Sequence, residues 1–390
     1  MLKREVPLPK GANLSSARLS ISIQFMIHGT VQGTFASRIP WIQAHLGLST
    51  ADLGLALICP AIGASVTMSA SSHLIYRYGY RAVIRTFVAG YALLLVLPTL
   101  ATSLASLCAL LFVFGAVGGL ADVLINAQGV EVERRIGKSI ISSLHGLWSC
   151  GMMIGASAGV IAVHLKVQPY VHLALCAATL GLLASVSGRQ LGSSAAVSLP
   201  TERRPRLFAL PSKAVWAIGV VGMCGMFTEG ASATWSGVYL QDVLSTSETL
   251  AAAGYSVFSL TIATSRLAGD LVVRRFGAVA TATASGMMIA AGALLVVVAT
   301  SPVPCLLGFA VLGLGASVVV PLTFGAAANS AASPSRAIAG VASITYITGL
   351  TAPALIGAIG EWSSLRGSFG LVLVGGVLLA WRARALAPQN

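Results

Sequence analysis

Long apolar stretches recur along the chain, separated by short polar segments. A helix rises about 1.5 Å per residue, so about 20 apolar residues cross the roughly 30 Å hydrocarbon layer of a bilayer. Backbone groups find no water in lipid, so each crossing segment must be helical. The pattern predicts an all-α membrane protein with twelve spans. These are residues 19–37, 51–75, 82–101, 106–128, 139–163, 170–188, 214–237, 250–272, 279–299, 304–326, 337–360 and 367–385.

The composition supports this interpretation. Hydrophobic residues make up 56% of the 390 residues, charged residues only 9%, and the mean hydropathy is +0.86. Soluble domains are about 25% charged, so a soluble enzyme, a disordered protein and a nucleic-acid-binding domain are excluded. The 42 glycines fit closely packed transmembrane helices. The six cysteines show no ligand spacing, and we expect no metal, cofactor or disulfide.

The basic residues predict the orientation of the chain. With the N-terminus inside, 21 of the 24 Lys and Arg residues fall on the cytoplasmic side. Only Arg38, Lys166 and Arg366 fall outside. Cytoplasmic loops carry an excess of Lys and Arg, so both termini are predicted to be cytoplasmic. The formal net charge of +13 is therefore a topology signal, not evidence of nucleic-acid binding.

The longest polar interruption divides the chain into two halves of six spans. The predicted units are a cytoplasmic tail (1–18), an N-terminal half (19–189), a cytoplasmic linker (190–213), a C-terminal half (214–385) and a cytoplasmic C-terminus (386–390). An internal repeat supports the division. Leu-Ser-Thr precedes spans 2 and 8 at 48–50 and 244–246, and Arg-x-Gly follows them at 77–79 and 275–277.

Two acidic residues fall well inside predicted spans, Asp122 in span 4 and Glu229 in span 7. A charged group in mid-membrane costs about 2.5 kcal/mol or more, so both are expected to face the bundle interior. Each continues a stripe of small and polar residues at helical spacing. Further residues expected to line the same cavity are His28, Gln32, Asn126, Gln128, His145, Trp148 and Trp235. In the alternative interpretation these stripes are packing seams whose polar groups only join helices.

Charges near the predicted cytoplasmic ends suggest gate ion pairs. Glu131 and Glu133 end span 4 at the level of Arg77 and the neighbouring arginines 81 and 85. Arg266 and Asp270 lie four residues apart on span 8, within pairing reach. The alternative is that these are solvated interface charges, because exposed pairs contribute only about 0–1 kcal/mol.

Two six-span halves with Arg-x-Gly turns after spans 2 and 8 resemble the major facilitator superfamily. Tyr76 and Arg274 stand where that family's loop has an Asp, so the usual acidic brace is missing. The segments 122–135 (DVLINAQGVEVERR) and 229–240 (EGASATWSGVYL) resemble a bacterial branch containing the inner-membrane protein YbjJ and the membrane protein MosC, relatives of fucose permease. In fucose permease a span-4 carboxylate followed four residues later by Asn lies in the substrate and proton site, which Asp122 and Asn126 match. That permease's span-1 carboxylate has no counterpart in 29–37.

The resemblance implies a non-enzymatic secondary transporter in the bacterial inner membrane that works by alternating access. The Gln, Asn, His and Trp side chains expected to line the cavity indicate a small polar, sugar-like or amine-like solute. The further expectations concern coupling and partners. The coupling ion is expected to be H⁺, carried by Asp122 or Glu229, with the lipid bilayer as partner and a monomer as the working unit. A drug or metabolite efflux antiporter is the alternative within the class. A non-transporting membrane sensor or a lipid-modifying enzyme is the alternative outside it.

The charge asymmetry predicts that the linker is cytoplasmic. In a variant without native cysteines, Ser194→Cys should react with a membrane-impermeant thiol reagent only after cell lysis. Labelling of intact spheroplasts would contradict the predicted orientation.

Overall fold

The fold is described from a computed structural model of the chain, which covers residues 14–68, 74, 77–78, 80–137, 140–188, 213–329 and 334–387. Most of the predicted N-terminal tail and linker lies outside these residues. Regular structure in the described part of the chain is helical, with no strands. This confirms the predicted all-α class.

Fourteen α-helices follow one another along the described residues. They are α1 (Leu14–Ala36), α2 (Ile39–Leu46), α3 (Thr50–Met68), α4 (Tyr80–Leu93), α5 (Leu104–Ile136), α6 (Ile141–His164), α7 (Pro169–Ser187), α8 (Lys213–Leu244), α9 (Glu248–Phe276), α10 (Ala278–Val298), α11 (Pro302–Ala316), α12 (Val319–Asn329), α13 (Pro334–Trp362) and α14 (Leu365–Arg382). Short 3-10 helices continue α4 over Leu94–Leu100 and α14 over Ala383–Leu386.

Ten helical segments among the described residues are long and apolar enough to cross a membrane. The two predicted spans outside this set are α1 and α9, which have 23 and 29 residues and are therefore long enough. Both carry polar side chains inside the bundle, such as His28 in α1 and Arg266 in α9. The predicted twelve spans are compatible with this count, with α11 and α12 together forming span 10.

The helix boundaries differ from the prediction in three places. The end of span 3 is a 3-10 helix containing Pro98, whose ring nitrogen cannot donate an α-helical hydrogen bond. Span 10 is interrupted between α11 and α12. The short helix α2, which the hydropathy pattern did not reveal, begins directly after span 1, with Pro40 in its first turn. Proline fits that position because the first helical N–H groups have no partner within the helix.

Helices pack mainly within each half of the chain. In the first half α1 lies along α6, α3 along α5 and α4 along α7. In the second half α10 contacts α11 and α14, while α8 contacts α13, α14 and α9. The halves meet along two helix pairs, α6 with α9 and α3 with α13, and α2 reaches across to α8 and α9. This arrangement places α5 and α8, which carry the two membrane carboxylates, in opposite halves.

Glycine makes the α1–α6 seam tight. A Cβ atom added at Gly151 would overlap the carbonyl oxygen of Met26, and one at Gly155 would overlap that of Thr30. From the other side, Gly29 and Gly33 meet the backbone of Trp148 and Met152 in the same way. Small residues allow such close backbone approach between membrane helices. The seam holds His28 and Trp148 on adjoining helices at one depth.

We expect Gly151→Ala to lower the thermal unfolding midpoint of the purified protein. The new methyl group has no space and must push α1 from α6, an overpacking cost of about 1–3 kcal/mol. Gly370→Ala in α14 is the matched control, because a Cβ there meets no atom within 4 Å. Equal midpoints for the two variants would refute the tight seam.

Candidate functional site

Asp122 lies on the polar stripe of α5 and is half-buried. The side-chain amide of Asn126, one helical turn further on, donates to the Asp122 carboxylate at 3.2 Å and to the Asp122 carbonyl at 2.9 Å. The i, i+4 spacing brings these side chains together, as the sequence predicted. The amide fixes the carboxylate without neutralising its charge.

The surroundings of Asp122 are polar and aromatic. His28, Tyr91 and His145 all interact electrostatically with its carboxylate. Gln32 lies beside the Tyr91 hydroxyl group, and the Tyr91 ring lies 4.9 Å from that of His28. Among described residues, the ion pairs involve Glu131 and Glu229, and no Lys or Arg pairs with Asp122. Its negative charge therefore has hydrogen-bonding neighbours but no fixed cation.

His28 is held as a neutral imidazole by two fixed partners. The Trp148 indole N–H donates to Nδ1 of His28 at 3.2 Å. Indole can only donate, so Nδ1 is unprotonated and the proton of the neutral ring is on Nε2. Nε2 lies 3.3 Å from the carbonyl oxygen of Gly118, which can only accept. Both ring nitrogens are thereby satisfied without a positive charge, and the indole of Trp148 is fixed in place.

Glu229 of α8 forms an ion pair with Arg266 of α9, with 2.8 Å between Oε2 and Nη2. The Arg266 guanidinium also donates from Nε to the Ser317 carbonyl at 3.2 Å and from Nη1 to the Ser149 hydroxyl at 3.0 Å. Ser149 belongs to α6, in the other half of the chain. The pair is mostly buried, with 16% of the Glu229 side chain and 20% of the Arg266 side chain exposed. Arg266 of α9 thus contacts Glu229 on α8, Ser317 at the end of α11 and, in the other half, Ser149 on α6.

His145 links the surroundings of the two carboxylates, and Tyr255 belongs to those of Glu229. His145 is exposed, packs its ring edge-on against Phe25 at 5.5 Å, and interacts electrostatically with both Asp122 and Arg266. Tyr255 of α9 interacts with both Glu229 and Arg266. Its hydroxyl group donates to the sulfur of Met152 across the contact between halves, at 3.7 Å. The two carboxylates are consequently parts of one electrostatic cluster.

Besides His28, two further residues predicted to line the cavity are buried instead of open. Gln128 has 5% of its surface exposed and Trp235 has none. The Trp235 ring lies against Gly357, where α13 meets α3, and its indole nitrogen has no hydrogen-bond partner. Trp235 therefore forms part of the closed contact between halves in this conformation.

The expected gate residues have other described partners. Glu131 pairs with Arg134 and Arg135 of its own helix, with N–O distances of 2.6 Å in both pairs. Glu133 accepts hydrogen bonds from the backbone N–H groups of Ile140 and Ile141, so it caps the start of α6. Arg77 donates to the neighbouring Tyr78 hydroxyl.

In the remaining gate pair, the described partner of Arg266 lies on another helix, whereas the expected partner lies on the same helix. Arg266 reaches Glu229 on α8, whereas the side chain of Asp270, its expected partner on α9, lies outside the described residues. The sequence analysis also did not single out Tyr91 and Tyr255 for the site. Their signal was available, because each tyrosine lies in a predicted membrane span, where a buried hydroxyl group needs a hydrogen-bond partner.

Comparisons with known proteins agree on one family. The family model described as Major Facilitator Superfamily matches residues 21–337. An uncharacterized transporter of Sinorhizobium fredii is 32% identical over 376 residues, covering 94% of this chain and 96% of that protein. The membrane protein MosC of Rhizobium meliloti is 29% identical over 388 residues, covering 97% and 93%.

Solved structures share the fold at low sequence identity. A mutant form of the nucleoside transporter NupG gives a TM-score of 0.76 at 14% identity, covering 95% of this chain and 99% of that one. A bacterial homologue of the human lysosomal transporter Spinster, in an inward-facing conformation, gives 0.71 at 11% identity, covering 97% and 98%. These likenesses confirm the predicted transporter fold.

A double-mutant cycle should reveal strong coupling between Glu229 and Arg266. Each single change, Glu229→Gln or Arg266→Met, leaves the other charge unpaired in the membrane and should lower the unfolding midpoint by about 5 °C. The double variant should lose much less than the sum of the two, because no charge remains unpaired. Arg134→Gln is the control, since 73% of that side chain is exposed and little change is expected. Additive losses would contradict the ion pair.

Proposed function

This chain belongs to the Major Facilitator Superfamily, and we propose that within it the protein is a proton-coupled secondary transporter of a small polar organic solute. We further propose that it works as a monomer in the bacterial cytoplasmic membrane, without catalytic activity. The cycle is a rocking of residues 1–189 against residues 214–390. The observation that carries the proposal is the electrostatic cluster of Asp122, His145, Arg266 and Glu229, which includes residues of both halves.

A site shared by both halves is what alternating access requires. The Arg266 guanidinium stays with the C-terminal half through Glu229 and the Ser317 carbonyl. Its contact with the N-terminal half is a single hydrogen bond to the uncharged Ser149 hydroxyl, which rocking can break and remake. Ligand sites of such transporters lie near mid-membrane, between the structural repeats. The position of the cluster fits this requirement.

Proton coupling is supported by the contrast between the two carboxylates. Glu229 has a permanent cation in Arg266, whereas Asp122 has only amide, imidazole and phenol neighbours. An unpaired carboxylate is costly in the membrane, and binding a proton removes that cost. His28 has both ring nitrogens engaged as a neutral group, which leaves Asp122 as the better proton carrier. We therefore assign the proton to Asp122 and a permanent structural charge to Glu229.

The solute class follows from the side chains around Asp122. Gln32, Asn126 and the carboxylate offer donors and acceptors suited to hydroxyl groups, while the fixed Trp148 ring offers a flat face for a sugar or a cation. A sugar-like or amine-like solute fits this set. Because NupG is a nucleoside transporter of the same fold, nucleosides also belong in a screen.

The unpaired carboxylate also supports a second candidate, an efflux antiporter of cationic drugs or metabolites. A cationic solute would neutralise Asp122 as a proton does. The cationic solute and the proton would then bind to the Asp122 carboxylate in turn, each in exchange for the other.

The first experiment is a thermal-shift screen of sugars, polyols, amines and nucleosides on the purified protein. A solute that stabilises wild type should do so less in Asn126→Ala, whose amide group at the site is lost. Stabilisation by lipophilic cations alone would favour the efflux antiporter. No stabilisation by any class would count against a solute-binding site at the cluster.

Asp122→Asn should abolish solute-driven proton movement while leaving the protein folded. The solute found in the screen is added to proteoliposomes containing a pH-sensitive dye, and the internal pH is followed. Asp52→Asn, at the start of α3, is the matched control and should behave as wild type. Should Asp122→Asn acidify or alkalinise the vesicles as wild type does, Asp122 is not the carrier and Glu229 becomes the next variant to test.

A further inference from the structure

Polar contacts join the two halves on the predicted outer side. The Thr50 hydroxyl group at the start of α3 donates to the Glu361 carboxylate near the end of α13, at 2.9 Å. The Gln43 amide of α2 donates to the Asp242 carboxylate near the end of α8, at 3.3 Å. Both contacts link residues about 200 or more positions apart in sequence, so they are features of the tertiary structure alone.

A third pair of groups meets at a small cavity on the same side. Arg38, just before α2, and Glu248, in the first turn of α9, both line a cavity of about 10 Å³. Burial lowers the pKa of the Arg38 guanidinium, and the carboxylate of Glu248 acts in the opposite direction. Two opposite charges, one from each half, therefore face the same small cavity at the boundary between the halves.

In all three pairs the carboxylate belongs to the same half of the chain. The N-terminal half supplies the donors Gln43 and Thr50 and the cation Arg38. The C-terminal half supplies the acceptors, which are the carboxylates of Asp242, Glu248 and Glu361. Hydrogen bonds to an ionised acceptor are stronger than neutral ones. One half therefore presents an acidic rim that fits a rim of donors on the other.

The donors are held firmly by their own half. Arg38 has only 2% of its surface exposed, although it is one of three basic residues predicted on the outer side. Its Nε donates to Nδ1 of His172 at 3.1 Å, and its Nη2 donates to the Val167 carbonyl at 3.4 Å. These bonds anchor the start of α2 to α7 and to the turn that precedes α7. The short helix is thus an arm of the N-terminal half that lies over α8 and α9.

The backbones of the halves also touch closely on this side. A Cβ at Gly357 would overlap the Thr50 carbonyl oxygen and lie 3.0 Å from Cα of Gly54. A Cβ at Gly237 of α8 would lie 2.7 Å from Pro40 of α2. Between described residues, the other hydrogen bonds across the halves are those of Ser149 with Arg266 and Met152 with Tyr255. The conformation is therefore closed on the predicted outer side.

We propose that Asp242 with its donor Gln43, Glu361 with its donor Thr50, and Glu248 with the charge of Arg38 at the shared cavity form an outer latch that sets how often the predicted outer side opens. The proposal rests on the alternating-access function proposed above. The latch is distinct from the membrane cluster: its carboxylates bind neither solute nor coupling proton, and they act only on the balance between conformations.

The solvent exposure of the three carboxylates sets how much their loss changes the ratio of outer-open to outer-closed protein. Asp242, Glu248 and Glu361 are exposed residues, and exposed polar pairs are individually weak. Loss of one should shift the ratio of outer-open to outer-closed protein by about two- to fivefold. Two independent losses multiply, which gives a shift of about tenfold. A transporter whose states differ by only a few kcal/mol is sensitive to such changes.

The test measures conformation directly and needs no solute. Spin labels are placed at Gln168→Cys and Ser301→Cys, two exposed positions on predicted outer turns of opposite halves, in a chain without the six native cysteines. Double electron–electron resonance then gives the distance distribution between the labels. Wild type should show mainly the short, closed distance. Asp242→Ala and Glu361→Ala should each increase a longer component, and the double variant should increase its ratio about tenfold.

Asp52→Ala is the matched control, because it removes a carboxylate on the predicted outer side from the N-terminal half, which supplies the donors. Its distribution should match wild type. If the alanine variants do not fold, Asp242→Asn and Glu361→Gln keep the shape, remove the charge and should shift the ratio in the same direction. An unchanged distribution in folded variants, or an equal shift in Asp52→Ala, would overturn the latch. If the latch proposal is wrong, solute binding in the thermal-shift screen is unaffected. If the distance distribution shifts but no solute binds, only the proposed function is overturned.

Discussion

A charge inside a bilayer must have a partner, because the hydrocarbon cannot solvate it, and this constraint explains the centre of the molecule. Glu229 and Arg266 satisfy each other at 2.8 Å, and the remaining N–H groups of the arginine reach Ser317 and Ser149. Asp122 meets the same constraint only through hydrogen bonds and neutral neighbours. The difference between a fully paired and a partly paired carboxylate separates a structural charge from one suited to exchange a proton.

The sequence predicted the architecture because the membrane leaves few alternatives. Once apolar stretches of spanning length are recognised, helices follow from the backbone hydrogen-bond requirement. The two helices that fall short of the apolar criterion, α1 and α9, are informative, because His28 and Arg266 lower their hydropathy and contact other helices within the bundle. The helix α2 was missed because its eight residues are too few for a span and lie against one.

Contacts along one helix were predictable at the candidate site, whereas contacts between helices were not. Spacing along one helix correctly linked Asp122 to Asn126, since i and i+4 residues must be neighbours. The same rule suggested Asp270 for Arg266, yet the arginine reaches Glu229, 37 positions away, because helix rotation and packing place α8 beside it. Glu133 looked like a gate charge and instead caps α6. The sequence analysis did not single out Asp242 and Glu361, because only the tertiary fold places donors of the other half opposite them.

The strength of the contacts differs within and between the halves. Within each half lie the ion pairs of Glu229 and Glu131, the anchoring of Arg38, and the glycine seam of α1 with α6. Across the halves lie one hydrogen bond from Arg266 to a hydroxyl group, one contact with a thioether, and hydrogen bonds to exposed carboxylates. A single hydrogen bond contributes about 1 kcal/mol, or up to about 3 kcal/mol with a charged partner, whereas removing one partner of a buried ion pair costs about 3–5 kcal/mol. The contacts between the halves are therefore individually weaker than the buried ion pair within one half, as the proposed rocking motion requires.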